Sequence, residues 1–144
     1  MSEIVLIIGM QGSGKTSLVS EFEAKGHIRY NRDKEGGSIQ ALHAKLQHDL
    51  NASNGIKSYV LDNTYATKES RRAVIEMGKA KGIPVRAVVM STGLEDCQYN
   101  VCSRMIRKHG KLPSADEMKK LNATDPGVVP AAVLYVYRKE YQPP

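Results

Sequence analysis

Gly9-Met10-Gln11-Gly12-Ser13-Gly14-Lys15-Thr16 follows directly on the apolar run Ile4-Val5-Leu6-Ile7-Ile8. The octet matches G-x-x-x-x-G-K-[ST] at every fixed position, in the strand-then-helix setting that this motif needs. Its glycines let the backbone come close to a ligand. Successive amide N–H groups then face phosphate oxygens at the positive end of the following helix. In such a loop Lys15 reaches the β- and γ-phosphates and the Thr16 hydroxyl ligates Mg²⁺. The stretch therefore predicts a nucleoside triphosphate site, with Gly12, Ser13, Gly14, Lys15, Thr16 and Ser17 as its contacts.

The pattern continues as alternating strands and helices. Leu18, Val19 and Phe22 form an apolar stripe on a helix that Gly26 stops. His27 to Tyr30 reads as a short second strand, and Asn31 to Gly37 as a polar loop. Ser38 caps a helix carrying Ile39, Leu42, Leu46 and Leu50 at helical spacing. Tyr59-Val60-Leu61 is a third strand. Thr67 caps a helix to Lys81, with Val74, Ile75 and Met77 expected inward and Arg71, Arg72 and Lys79 outward. Val85 to Met90 is a fourth strand, whose unbroken apolar character predicts burial on both faces. Helices are expected from Leu94 to about Ile106, from Ser114 to Leu121, and from Ala131 to about Tyr141.

This alternation predicts an α/β fold over residues 1–144: a single P-loop NTPase-type domain, its parallel sheet flanked by helices and completed by a helical lid. At 144 residues, with 41% hydrophobic and 25% charged residues, the chain suits one globular domain. No apolar run approaches the roughly 20 residues of a membrane span. Cys97 and Cys102 form no C-x-x-C pair, and the four histidines lack metal-ligand spacing. These features predict a reduced intracellular protein, cytoplasmic or nuclear, without membrane association. The net charge of +6 is uneven, because residues 68–111 hold ten Lys/Arg against four Asp/Glu. Such asymmetry is expected of a protein that meets polyanions, although a solvated helix face resembles it in part.

In a parallel α/β sheet, ligands bind outside the carboxyl ends of the strands. The second strand ends in Asn31-Arg32-Asp33, the third in Asp62-Asn63-Thr64, and the fourth in Ser91-Thr92-Gly93. Asp33 and Asp62 thus converge where a γ-phosphate would sit. Phosphoryl transfer to an alcohol needs a carboxylate to take the hydroxyl proton, and Asp33 is the candidate. Three roles stand open for Asp62: holding Mg²⁺ through water, orienting an acceptor, or pinning a neighbouring basic side chain. Arg104, Arg107 and Lys108 cluster at a helix end beside Gly110 and Pro113. That placement suits either a lid or a helix terminus whose dipole favours cations.

The ordered set Gly9–Thr16, Tyr30-Asn31-Arg32-Asp33-x-x-Gly36, Leu61-Asp62-Asn63-Thr64, a basic helix and Tyr137-Arg138-Lys139 resembles the kinase domain of polynucleotide 5′-hydroxyl kinases. The likeness spans most of the chain. It implies transfer of the ATP γ-phosphate, with Mg²⁺, to a DNA or RNA 5′-hydroxyl in nucleic acid repair. It makes Asp33 the general base, Asp62 an acid near the acceptor, and Arg104 the lid arginine, with Arg107 as second choice. Lys15, Asp33 and Arg104 are thus the expected catalytic residues, and Thr16 the metal contact. Arg32, Asp33, Asp62, Asn63, Thr64 and Arg71 are the expected acceptor contacts. The phage form has an arginine three residues after the base, whereas this chain has Gly36, as the animal form does. No D-x-D-x-T motif is present, so a 3′-phosphatase is expected to be a separate protein. The alternative reading is a P-loop kinase of a small-molecule hydroxyl, on a nucleoside, sugar or antibiotic.

Overall fold

The computed structural model describes residues 2–144. Four strands, β1 (Ile4–Ile8), β2 (Ile28–Tyr30), β3 (Tyr59–Asp62) and β4 (Val85–Val89), form one parallel sheet in the order β2-β3-β1-β4. The helices are α1 (Lys15–Ala24), α2 (Arg32–Glu35), α3 (Ile39–Ser53), α4 (Lys68–Lys81), α5 (Leu94–His109), α6 (Ala115–Asn122) and α7 (Ala131–Glu140). This is the expected α/β architecture.

All five residues of β1 are buried because they alternate between two cores. Ile4, Leu6 and Ile8 pack with Leu42, Leu46 and Leu50 of α3 and Val74 of α4. Val5 and Ile7 pack with Val60 of β3 and with Val19 and Phe22 of α1. A third cluster joins Met10 to Cys97, Val101 and Met105 of α5, then to Val128, Val129 and Leu134. It seats the helices that follow β4 against the beginning of the phosphate loop.

Three helices begin at the caps expected of them. The Ser38, Thr67 and Ser114 side chains accept from the amides of Ala41, Ser70 and Glu117, and Glu117 completes a capping box. Three expectations need correction. Residues 32–35, read as loop, wind into the single turn α2, because the Asn31 side chain accepts from Lys34 N and caps it. β4 is not buried on both faces: Arg86, Ala87 and Val89 are exposed, since β4 pairs only with β1 at the sheet margin. On α4 the inward residues are Arg71, Val74 and Gly78, while Ile75 is exposed. Gly78 faces the sheet so closely that a Cβ there would lie 2.3 Å from Val85 Cγ2.

Candidate active site

The strand register brings the expected residues to one edge. Ile7 pairs with Asp62 and Tyr30 with Leu61, so Gly9, Asn31 and Asn63 all emerge at the carboxyl end of the sheet. Gly9 N donates to Thr64 O at 3.3 Å, joining the phosphate loop to the segment after β3.

Gly14 takes φ +91° and opens α1, whose first amides have no intrahelical acceptor. Elements beyond β4 hold the loop from behind. Thr92 Oγ1 donates to Ser13 O at 2.7 Å, and Asn100 Nδ2 of α5 donates to Gly12 O at 2.8 Å. Lys15 Nζ donates to Gly9 O at 2.6 Å and Met10 O at 3.1 Å. Burial pushes the Lys15 ammonium below the usual lysine range, against the opposing pull of Asp62. A phosphate anion in the loop would favour its charged form.

Two clefts open side by side at this edge, and Gln11, Lys15, Asn31, Asp33 and Asp62 line both. The larger, about 460 Å³, runs over Gly12, Ser13, Gly14, Thr16 and Ser17. Arg29, Asn100, Arg104, Arg107, Pro126, Gly127 and Val129 form its other walls. The smaller, about 300 Å³, lies among Arg32, Ile39, Asn63, Thr64, Tyr65, Ala66, Thr67, Ser70 and Glu140. α5 therefore directs Arg104 and Arg107 to the same cleft as the phosphate loop.

The two acids have opposite surroundings. Asp33 is half exposed on α2, and its nearest cation is Arg32, at 3.8 Å. Asp62 is 2% exposed and ion-paired to Arg29 of β2, whose guanidinium Nη2 donates to Oδ2. Asn31 Nδ2 donates to Asp62 O at 2.6 Å and to Oδ2 at 3.1 Å. Of the three roles open to Asp62, pinning a basic side chain is the one the structure displays. Asn63 Oδ1 accepts from Arg32 N at 3.1 Å, and Asn63 Nδ2 donates to the Tyr65 hydroxyl at 3.4 Å.

Arg71 is displaced from its expected place. It lies inward, 2% exposed, and lines neither of these clefts. Its Nε donates to Thr67 O at 2.9 Å, and its Nη2 donates to the backbone carbonyl of Gln142. The basic excess of residues 68–111 is also partly engaged in ion pairs. Arg72 pairs with Glu69, Arg86 with Glu3, Lys108 with Asp125 and Lys111 with Glu117.

Arg29 and Asn100 carry no expected role in the sequence, and Thr92 carries none beyond its place at the carboxyl end of the fourth strand. A charged residue inside the short apolar run at Ile28–Tyr30 was a visible signal, but its partner lies 33 residues away. No such signal marks Asn100.

Among the described residues no group of three His, Cys, Asp or Glu side chains could hold a metal. The Thr16 hydroxyl at the start of α1 would hold a Mg²⁺ ion together with a bound nucleotide, and the ion would offset phosphate charge there. No helix among the described residues is long and apolar enough to cross a membrane.

A phosphate loop after the central strand, a second cleft sharing Lys15 and two acids, and a cationic helix above define a P-loop kinase-type domain. The chain belongs to the AAA domain family, whose model matches residues 4–144. It is 31% identical over 110 residues to a bifunctional polynucleotide phosphatase/kinase of Schizosaccharomyces pombe. That match takes in 76% of this chain and 26% of the relative, so it spans about a quarter of the yeast protein's length. A chain in the structure of the Pnkp1/Rnl/Hen1 RNA repair complex superposes with a TM-score of 0.60 at 13% identity, over 98% of this chain and 46% of that one. The Mycobacterium tuberculosis APS kinase CysC, solved with AMPPNP and APS, superposes with a TM-score of 0.53 at 19% identity, over 76% and 75% of the two chains. These two structures share the fold. The expected likeness to polynucleotide kinases holds.

Proposed function

We propose that this chain is an ATP-dependent polynucleotide 5′-hydroxyl kinase. The observation that carries the reading is the pair of clefts meeting at Lys15, Asp33 and Asp62. A donor held on the phosphate loop and an acceptor held over Asn63, Thr64 and Tyr65 would meet at those side chains. The likeness to the yeast phosphatase/kinase favours a polynucleotide acceptor.

Asp33 takes the proton of the 5′-hydroxyl as its oxygen bonds to the γ-phosphorus. The bond from that phosphorus to the β,γ-bridging oxygen breaks, and ADP leaves. Lys15 and Arg104 balance charge on the transferred group and the leaving oxygen, with Arg107 beside them. Bound Mg²⁺ would offset charge between the β- and γ-phosphates from the Thr16 side. Arg32 and the Asp62-Asn63-Thr64 segment orient the acceptor.

The test supplies γ-labelled ATP and Mg²⁺ to the protein with 5′-OH DNA and RNA strands, and in parallel with nucleosides and sugars. Label on the strands is the expected result. Label confined to a small molecule replaces the polynucleotide reading with the small-molecule one. Asp33→Ala should keep ATP binding and lose about 10²–10⁴-fold in transfer rate; a near-normal rate removes Asp33 from its role.

A further inference from the structure

We infer that Arg29 is a positioning residue for phosphoryl transfer, acting through Asp62. The inference rests on the kinase reading above.

Arg29 pairs with Val60 across the β2–β3 ladder. Residues two apart in a strand share a face, so Arg29 stands on the side of β3 that also carries Asp62. The pair is nearly dry, with side-chain exposures of 14% for Arg29 and 3% for Asp62. One carboxylate oxygen carries the whole clamp: Oδ2 accepts from Arg29 Nη2 and from Asn31 Nδ2. Oδ1 accepts no hydrogen bond among the described residues, yet Asp62 lines both clefts.

A buried carboxylate beside a triphosphate would be repelled by it and would turn away without a cation of its own. Arg29 supplies that cation. With Oδ2 held, Oδ1 is left to accept from a second donor on the acceptor, such as a base N–H, and so to hold the 5′-hydroxyl against Asp33, which alone takes its proton. Arg29 thus contributes orientation rather than a phosphate contact, although it also lines the donor cleft. Lysine would be a partial substitute, because it brings charge without the planar fork.

A double-mutant cycle separates the two possibilities. The proteins are wild type, Arg29→Met, Asp62→Asn and the double variant, assayed on whichever acceptor the wild type labels. Arg29→Met should lower kcat about 10–100-fold, the usual range for loss of a supporting partner, with the KM for ATP changed less than about threefold. Arg29→Lys should recover part of that loss. In the Asp62→Asn background the same Arg29 substitution should cost less than about twofold. An equal loss in both backgrounds overturns the inference and makes Arg29 a direct phosphate ligand. An unchanged kcat in Arg29→Met overturns it as well.

Leaving Asp62 as an unpaired buried charge threatens the fold of Arg29→Met. Should that variant not fold, Asp62→Asn against the double variant still decides. Equal kcat supports the inference, and a further tenfold loss overturns it. A wild type that labels only small hydroxyls defeats the polynucleotide reading and leaves the cycle to be run on that acceptor.

Discussion

The Arg71 guanidinium donates to the backbone carbonyl of Gln142, 71 residues along the chain. Gln142 N donates to Ala66 O at 2.8 Å, and Lys68 N donates to Gln142 Oε1 at 2.8 Å. The C-terminal tail is therefore stitched to the loop that walls the smaller cleft, with Arg71 as the buried peg. Arg71→Ala removes the bonds to Thr67 O and Gln142 O together with the packing of a buried side chain, and should cost about 2–4 kcal/mol of stability, read as a lower urea midpoint. Were Arg71 an acceptor contact instead, the variant would keep its midpoint and raise only the acceptor KM.

Two glycines of positive φ should behave differently. Gly12 has φ +79°, and a Cβ there would lie 2.5 Å from Cys97 O of α5. Gly12→Ala must push α5 off the phosphate loop and should weaken binding of a fluorescent ATP analogue by about tenfold or more. Gly26 has φ +97° with nothing within 4 Å of a built Cβ. Gly26→Ala should cost about 1–2 kcal/mol in backbone strain and leave nucleotide affinity unchanged.

Burial pushes the His43 imidazole below its usual range, and Nε2 bonds the Tyr65 hydroxyl at 3.0 Å as the two rings stack. The folded state thus resists a proton that the unfolded chain accepts, so stability should be flat above about pH 6.5 and fall below it. Glu3 acts in a different window. Its hydrogen bond with Arg86 holds the carboxyl below its ordinary 4.5, so its contribution is lost only as pH falls beneath that value. Urea midpoints at pH 7.5 and 5.5 check this, and His43→Gln should flatten the difference.

Asp125 anchors the segment that carries Pro126, Gly127 and Val129 into the donor cleft. Its Oδ2 meets Lys108 Nζ and His109 Nε2 of α5, each at 3.0 Å, and its Oδ1 accepts from Gly127 N at 3.0 Å. Asp125→Ala should free that wall and raise the KM for ATP about three- to tenfold, equivalent to about 1 kcal/mol of lost anchoring. A kcat near wild type would place the effect in binding rather than in transfer.

Much of the site was legible because its signals are short-range. A glycine-rich turn between an apolar run and a helix, caps at Ser38, Thr67 and Ser114, and acids just past two strands depend on residues within a few positions of one another. The parallel sheet followed from the alternation, and with it the meeting of Asp33 and Asp62 at one edge. The basic excess of residues 68–111 was legible too, but its disposition was not, since Arg72, Arg86, Lys108 and Lys111 are engaged in ion pairs.

The sequence by itself thus determined the phosphate loop, the α/β class and the carboxylates at the sheet edge, since each rests on local backbone chemistry and strand periodicity. The tertiary structure alone decided that β4 lies at the margin, that Arg71 points inward to Gln142, and that Asp62 is clamped by Arg29. Those outcomes turn on which strand or side chain a residue meets far along the chain: 33 positions for Arg29 and Asp62, 71 for Arg71 and Gln142, and from residue 4 to residue 85 for the β1–β4 pairing. Helical spacing places a residue on a face, but only the packed neighbours reveal whether a long cationic side chain finds carbonyls, a carboxylate or water.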